Sequence, residues 1–294
     1  MNDKVSFVKS FISGGIAGCV AKTSVAPLDR IKILYQSHHI KYHQLSIISV
    51  AKEIYRDSGV AGLYRGNLMQ MMRVFPYAAI QFSSFEKYKH FYSFIKNEHI
   101  RKLISGSSAG VTAVIFTYPF DFMRSNIAYG NVPKSNWKNL TMKYVSFFYG
   151  RGISSFYSGL VATLIGMIPY AGASFYIFES SRQFIIKNIT PQIDKSDIKK
   201  ISIVNAISGS FAGIVAQTIA YPIDVARRKI QVAVISGQGE NHSTIKKALI
   251  NTYKTHGFSR GLFKGMSINY IRVIPMISMS FTTYELLKNL KINN

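Results

Sequence analysis

The chain has 294 residues, with 36 Lys+Arg against 13 Asp+Glu, 48% hydrophobic residues and a single cysteine. A sequence this apolar is not disordered, the lone Cys19 excludes a disulfide scaffold, and no Cys/His spacing suits zinc. The formal net charge of +23 points to an anionic partner: nucleic acid, a membrane surface or an acidic small molecule. The opening residues, MNDKVSFVKS, are too short and polar for a removable signal, so any targeting lies in the chain itself.

Residues 9–36 form the first predicted element, a long apolar helix carrying Gly14-x-x-x-Gly18 and then Pro27-x-Asp29-x-x-Lys32. A polar stretch, 37–67, follows; it holds an amphipathic segment from Ser46 to Arg56 and the turn Gly59-x-x-x-Leu63-Tyr64-Arg65-Gly66. The histidines of His38-His39-x-x-x-His43 lie there and read as solvated loop residues, not a metal site. Residues 68–92 form the second long element, with Arg73 three places before Pro76 and with Phe85-Glu86-x-x-Lys89 near its end.

The same order then returns twice. Residues 101–128 carry Gly106-x-x-x-Gly110 and Pro119-x-Asp121-x-x-Arg124; a linker segment from Asn139 to Phe148 follows, and residues 160–187 carry Gly166, Pro169 and Phe178-Glu179-x-x-Arg182. Residues 203–232 carry Gly209-x-x-x-Gly213 and Pro222-x-Asp224-x-x-Arg227; a linker segment from Thr244 to Thr255 leads to residues 267–289, with Arg272, Pro275 and Tyr284-Glu285-x-x-Lys288. The chain is therefore a tandem triplication, 1–97, 98–198 and 199–294, forming one unit. Each long segment exceeds the ~20 residues that cross a bilayer as a helix. Gly-x-x-x-Gly stripes and matched mid-segment prolines favour membrane helices over a soluble bundle. The expected fold is all-α: six transmembrane helices in three two-helix repeats with threefold pseudo-symmetry, and a short surface helix in each linker.

Six of the 13 acids fall in the two triplicated motifs, each three residues before a Lys or Arg. Local i,i+3 pairs would contribute only a few tenths of a kcal/mol each. Threefold arrangement allows a different pairing, in which the acid of one helix meets the base of the next and closes a ring. Charges inside a membrane are usually functional and face a wet interior. Two such rings at opposite ends act as gates that close alternately. No nucleophile–base constellation and no cofactor motif is present, so the chain does not read as an enzyme, and its best-placed cations sit mid-helix, away from any nucleic-acid surface.

These motifs resemble the mitochondrial carrier family over the whole chain. The resemblance implies a multi-pass protein of the mitochondrial inner membrane, with three repeats around a central cavity and a short matrix-side helix in each. It implies a matrix gate of Asp29, Lys32, Asp121, Arg124, Asp224 and Arg227, with Asp29 meeting Arg124, Asp121 meeting Arg227 and Asp224 meeting Lys32. Gln36 and Gln231 take the glutamine-brace position, where the second repeat has Ala128. The implied cytoplasmic gate is Glu86, Lys89, Glu179, Arg182, Glu285 and Lys288. Ser58, Arg151 and His256 stand where the family has an acid near the linker glycine, which weakens the case for lipid (cardiolipin) binding there. A monomer is expected.

Between the gates the repeats differ: Arg73, Gly166 and Arg272 share one helix position, and Lys22 is matched by Val114 and Gln217. Gate members should match across repeats, whereas contacts to an asymmetric solute need not. With no spare acid in the segments, Lys22, Arg73 and Arg272 read as an anion site, since an uncompensated buried charge is costly and Arg suits phosphate or carboxylate. Gly166-Met167 resembles the Gly-plus-aliphatic pair of nucleotide-type carriers, with Gly166 leaving a slot for a planar base or merely allowing helix packing. The stretches 21–30 and 73–82 resemble the coenzyme A branch, with the ATP-Mg/phosphate and ADP/ATP branches sharing part of them. Coenzyme A, or an ADP-like nucleotide in exchange, is the expected substrate.

Overall fold

The computed structural model describes residues 2–42, 44–130, 142, 146, 150, 152–188, 198–233 and 244–289. Ten helices follow in order among them: α1 Asn2–Ser24, α2 Ala26–Gln36, α3 Ile47–Leu63, α4 Asn67–Phe91, α5 Glu98–Tyr129, α6 Leu160–Asn188, α7 Ile198–Val232, α8 Ile245–His256, α9 Met266–Ile271 and α10 Val273–Asn289. A short 3-10 turn, Ile153–Tyr157, leads into α6, and a π turn, Phe258–Leu262, follows α8. The middle linker segment, Asn139 to Phe148, and Arg151 lie outside the described residues apart from Met142 and Ser146.

One motif gives two local outcomes. Pro119 and Pro222 sit inside continuous helices, whereas at Pro27 the helix breaks into α1 and α2, bent by 60°. Before the break, Thr23 and Ser24 turn their hydroxyls onto the carbonyls of Cys19 and Ala21, competing with the backbone ladder. In the other repeats a tyrosine precedes the proline and is anchored, Tyr118 donating to the Ser158 carbonyl and Tyr221 to the Lys264 carbonyl. Ala26 can make no such tie. The last long segment is also divided, at Arg272, three residues before Pro275, whereas α4 and α6 run on through the matching Pro76 and Pro169.

The tightest helix pairs are α4 with α5, α6 with α7, and α1 with α10. Each joins the end of one repeat to the start of the next, and the last closes the ring. At the linker end α2, α5 and α7 converge on one another. Of the glycine stripes, Gly14 and Gly213 face open space; the close approach falls at Gly15, where an added Cβ would strike the Phe75 ring. The other stripe glycines lie against a neighbouring helix: an added Cβ would meet Val74 at 3.4 Å from Gly18, Met167 at 3.6 Å from Gly110, and Phe85 and Phe178 at 3.9 Å from Gly106 and Gly209.

Outward, Phe82, Phe116, Ile168, Phe175, Tyr176 and Phe281 are exposed. A belt of large apolar side chains of this size is not the surface of a soluble bundle, and hydrocarbon is what covers it. Three described stretches are long and apolar enough to cross a membrane alone: Ile100–Tyr129, Ile153–Asn188 and Ile201–Val232; the bent α1–α2 pair makes a fourth. α4 and the α9–α10 pair are more polar, but occupy in their repeats the place α6 takes in its own. The protein is an all-α membrane protein of three two-helix repeats.

The linker glycines lock the repeats together. Gly66, Gly159 and Gly265 all have φ near +85°, in the left-handed region. A Cβ on Gly66 would come within 2.8 Å of the Arg124 carbonyl oxygen, one on Gly159 within 3.4 Å of the Arg227 carbonyl, and one on Gly265 within 3.7 Å of the Lys32 carbonyl. Each repeat thus seats its turn under the basic residue of the next repeat's motif. Gly66→Ala is expected to cost at least about 1–2 kcal/mol from the left-handed backbone alone, with the clash at Arg124 added. A lowered thermal unfolding midpoint of the purified variant, against an unchanged midpoint for Gly14→Ala, checks this.

Candidate functional site

At the linker end three ion pairs run between helices. Arg124 meets Asp29 at 2.7 Å, Lys32 meets Asp224 at 3.1 Å, and Arg227 is paired with Asp121. Among the described residues the i,i+3 alternative contributes one contact within these motifs, Arg227 to Asp224 at 3.9 Å. Asp29, Asp121 and Lys32 are buried. Buried ion pairs add little net stability because desolvation offsets their attraction, yet removing one partner strands the other charge.

Two glutamines complete the ring. Gln36 donates to Asp224 at 3.0 Å; Gln231 donates to Asp121 at 3.1 Å and to the Tyr118 hydroxyl at 2.9 Å. Ala128 provides no side-chain donor. Its carbonyl instead accepts from the fully buried Arg30, which also donates to the Gly62 carbonyl and so ties the first repeat to its own linker. Arg228 joins this layer, donating to Gln231 and Ser125. Asn269 accepts from Lys32 at 3.1 Å and from Arg272 at 2.9 Å. Arg30 and Arg228 lack charged or amide counterparts in the other repeats, where Phe122 and Val225, and Ile33 and Ser125, stand, so repeat symmetry does not single them out; Asn269 is matched by Gln70 in the first repeat and by Thr163 in the second.

Two of the three cations above the ring, Arg73 and Arg272, are paired, contrary to the expectation from sequence. Arg73 reaches Asp121 at 3.1 Å and Thr117 at 3.2 Å; Arg272 reaches Asp29 at 2.6 Å. No separate acid is needed for each, because one carboxylate has two oxygens and serves two guanidinium groups. Asp121 of the second repeat thereby holds Arg73 of the first and Arg227 of the third; Asp29 of the first holds Arg124 of the second and Arg272 of the third. Among the described residues Lys22 has no direct carboxylate partner, its Nζ lying 3.4 Å from the Met276 sulfur. Lys22, Lys32, Arg73, Arg124, Arg227, Arg228 and Arg272 thus stand against Asp29, Asp121 and Asp224: seven positive charges to three negative, a local excess of four.

Beside this layer, between α6 and α7, lies a cavity of about 210 Å³. Gly166, Met167, Tyr170 and Gln217 line its upper part, and Asp224 and Arg227 its lower part. Gly166 serves packing as well as space: a Cβ there would meet the Ile223 side chain at 3.2 Å. The slot expected at Gly166 is partly filled by Ile223, and the open volume lies alongside it.

The opposite end differs. Glu86, Lys89, Glu179, Arg182 and Glu285 make no ion pair among the described residues, and Glu179 accepts only from Gln183 at 2.9 Å. The side chain of Lys288 lies outside the described residues. The barrel is therefore tied at the linker end and untied, in its described part, at the other.

Comparison with known proteins follows the same threefold division. The family profile described as "Mitochondrial carrier protein" matches at residues 3–96, 95–189 and 199–294. The chain is 40% identical over 291 residues to Solute carrier family 25 member 16 of Mus musculus, covering 96% of this chain and 88% of that one. It is 40% identical over 288 residues to Mitochondrial substrate carrier family protein P of Dictyostelium discoideum, covering 95% and 93%. It is 35% identical over 293 residues to the Mitochondrial coenzyme A transporter SLC25A42 of Mus musculus, covering 97% and 89%.

Proposed function

The chain belongs to the mitochondrial carrier family, a family of transporters rather than enzymes, and we propose that it carries coenzyme A or a related adenine nucleotide across the mitochondrial inner membrane by exchange. The observation that carries this reading is the cationic excess over the linker-end ring. Arg73 and Arg272 rest on Asp121 and Asp29, so an incoming anion competes with carboxylates that already hold another arginine each. Phosphate groups suit that competition, because guanidinium binds them through paired hydrogen bonds. The cavity of Gly166, Met167, Tyr170 and Gln217 adds an apolar and aromatic wall where a planar base can lie. The name of the coenzyme A transporter among the relatives agrees with this choice.

In this reading the ring of Asp29, Lys32, Gln36, Asp121, Arg124, Asp224, Arg227 and Gln231 is the matrix gate, closed here. Glu86, Lys89, Glu179, Arg182, Glu285 and Lys288 form the cytoplasmic gate. A solute held by Arg73 and Arg272 draws two guanidinium groups away from Asp121 and Asp29, which loosens the two carboxylates that each tie all three repeats. Binding is thereby coupled to the release of the closed end.

The test is uptake by purified carrier in liposomes, with labelled coenzyme A, dephospho-coenzyme A, ADP, ATP-Mg, malate and glutamate supplied in turn. Uptake of coenzyme A or an adenine nucleotide is expected, and uptake of malate or glutamate alone overturns the assignment. Gly166→Arg should abolish uptake of the adenine-containing solutes before that of small anions, since the added side chain must displace Ile223 and fill the neighbouring cavity. Equal loss of all solutes assigns Gly166 to helix packing instead.

A further inference from the structure

The histidines of the first linker do not all lie in solvent. His39 packs against Tyr42 and Tyr129, whereas His38 is half-buried and turned towards the third repeat. Its ring stacks on His256 at the C-terminus of α8, with centroids 4.2 Å apart and planes 18° from parallel. Nδ1 lies 3.2 Å from the Gln36 carbonyl oxygen and Nε2 3.2 Å from the Arg260 carbonyl oxygen. The φ of His38 is +51°, an unusual conformation for a side-chain-bearing residue, held here by contacts across the seam between repeats one and three.

The charged groups facing His38 are all basic. α7 contributes Lys229, which is buried and has no ion-pair partner among the described residues; α8 contributes His256. From α2 and the π turn come backbone carbonyls, those of Gln36 and Arg260. Gln36 is itself hydrogen-bonded to Asp224, and that acid is already bridged to Lys32. A proton arriving on His38 would place a second cation beside Lys229 and against the His256 ring.

We propose that the His38–His256 stack is an acid-sensitive latch: neutral, it holds repeat one to repeat three at the linker end, and protonated, it releases them. Two carbonyl oxygens near one ring would reward a second N–H, but burial acts in the other direction. Burial first, then Lys229 and His256, hold the imidazole down to about 3 in the closed seam. Once the seam opens and water enters, the ordinary histidine value of about 6.5 returns. Protons therefore bind the open form better, and acid on the linker side favours opening between those two values. At about pH 5.5 the shift is about tenfold relative to neutral pH. The latch needs only that the linker end opens and closes; the identity of the solute does not enter.

The experiment reads that opening directly. In a Cys19→Ser carrier in liposomes, Gln217→Cys puts a single thiol in the cavity, and a membrane-impermeant maleimide is supplied from the side of α3 and α8. His38→Asn removes the titration while tolerating the left-handed backbone. Because thiol reactivity itself depends on pH, the quantity followed is the labelling rate with His38 intact divided by the rate with His38→Asn. That ratio should rise about tenfold between about pH 7.5 and pH 5.5. His256→Gln, made separately, takes away the stacked ring and should reduce the rise, giving the comparison from the other side of the seam if His38→Asn is poorly folded. A ratio that stays flat with pH, or a rise undiminished by His256→Gln, overturns the latch. Failure of coenzyme A uptake leaves this result untouched and bears only on the substrate.

Discussion

Asp121→Arg is expected to bring uptake close to background. Asp121 faces Arg227, Arg73 and, at 3.7 Å, Arg228, and it accepts from Gln231. Reversing its charge sets a fourth guanidinium among three. One pair of like charges 4 Å apart repels by about 4 kcal/mol at an effective dielectric of ~20, enough to cut the population of the closed state about 1,000-fold. Adding Arg227→Asp restores one opposite pair, but Arg73 and Arg228 still face the new cation and Asp224 lies beside the new acid, so recovery should be partial. Adding Arg124→Asp instead should recover nothing, because Arg124 belongs to Asp29 and its reversal breaks a second bridge. A double-mutant cycle scored by uptake in liposomes separates the two. Coupling of Asp121 to Arg124 but not to Arg227 would remove the interhelical gate from the mechanism.

Arg73→Ala and Arg272→Ala should each raise the apparent KM about tenfold or more and together abolish uptake, with the barrel still folded. Each deletion removes a charge-assisted contact to the solute of the kind worth about 1.5–3 kcal/mol. Folding should survive because Asp121 retains Arg227 and Asp29 retains Arg124; no carboxylate is stranded. The structure changes the expected side effect. Each arginine also ties one repeat to a carboxylate shared by the other two, so the purified variants should unfold at a somewhat lower temperature than the parent while keeping their helical signal. Normal transport by the double variant would exclude these residues from the solute site.

The triplicated architecture was legible in the sequence because a repeat is a linear property. Pro27, Pro119 and Pro222, the acids that follow them, and the glutamates near each repeat's end recur in one order, and that order carried the family. The residues distinguishing the repeats, Lys22, Arg73, Gly166 and Arg272, were legible for the converse reason: they break a pattern that everything around them keeps. What a linear pattern lacks is distance between segments far apart in the chain. It could not show that Arg73 and Arg272 share the carboxylates of the ring, since Asp121 and Asp29 were already assigned partners and their second oxygens were not counted.

Local rules failed at three further points, each time for want of a neighbour. Pro27, Pro119 and Pro222 read alike, but only the first breaks its helix, because Tyr118 and Tyr221 anchor the others to their own linkers and Ala26 cannot. Gly14 and Gly18 read as one close-packing stripe, yet only Gly18 meets a neighbour, Val74, and the tightest approach, that of Phe75, falls at Gly15. His38 read as solvated, and its partner proved to be a ring 218 positions away on another repeat. Composition, period and spacing thus determined the class, the repeats and the list of charged positions, since each follows from residue type along one helix. Which charges meet, which end of the barrel is tied and where space remains were decided by tertiary packing, because they depend on how three nearly equivalent repeats face one another around an axis.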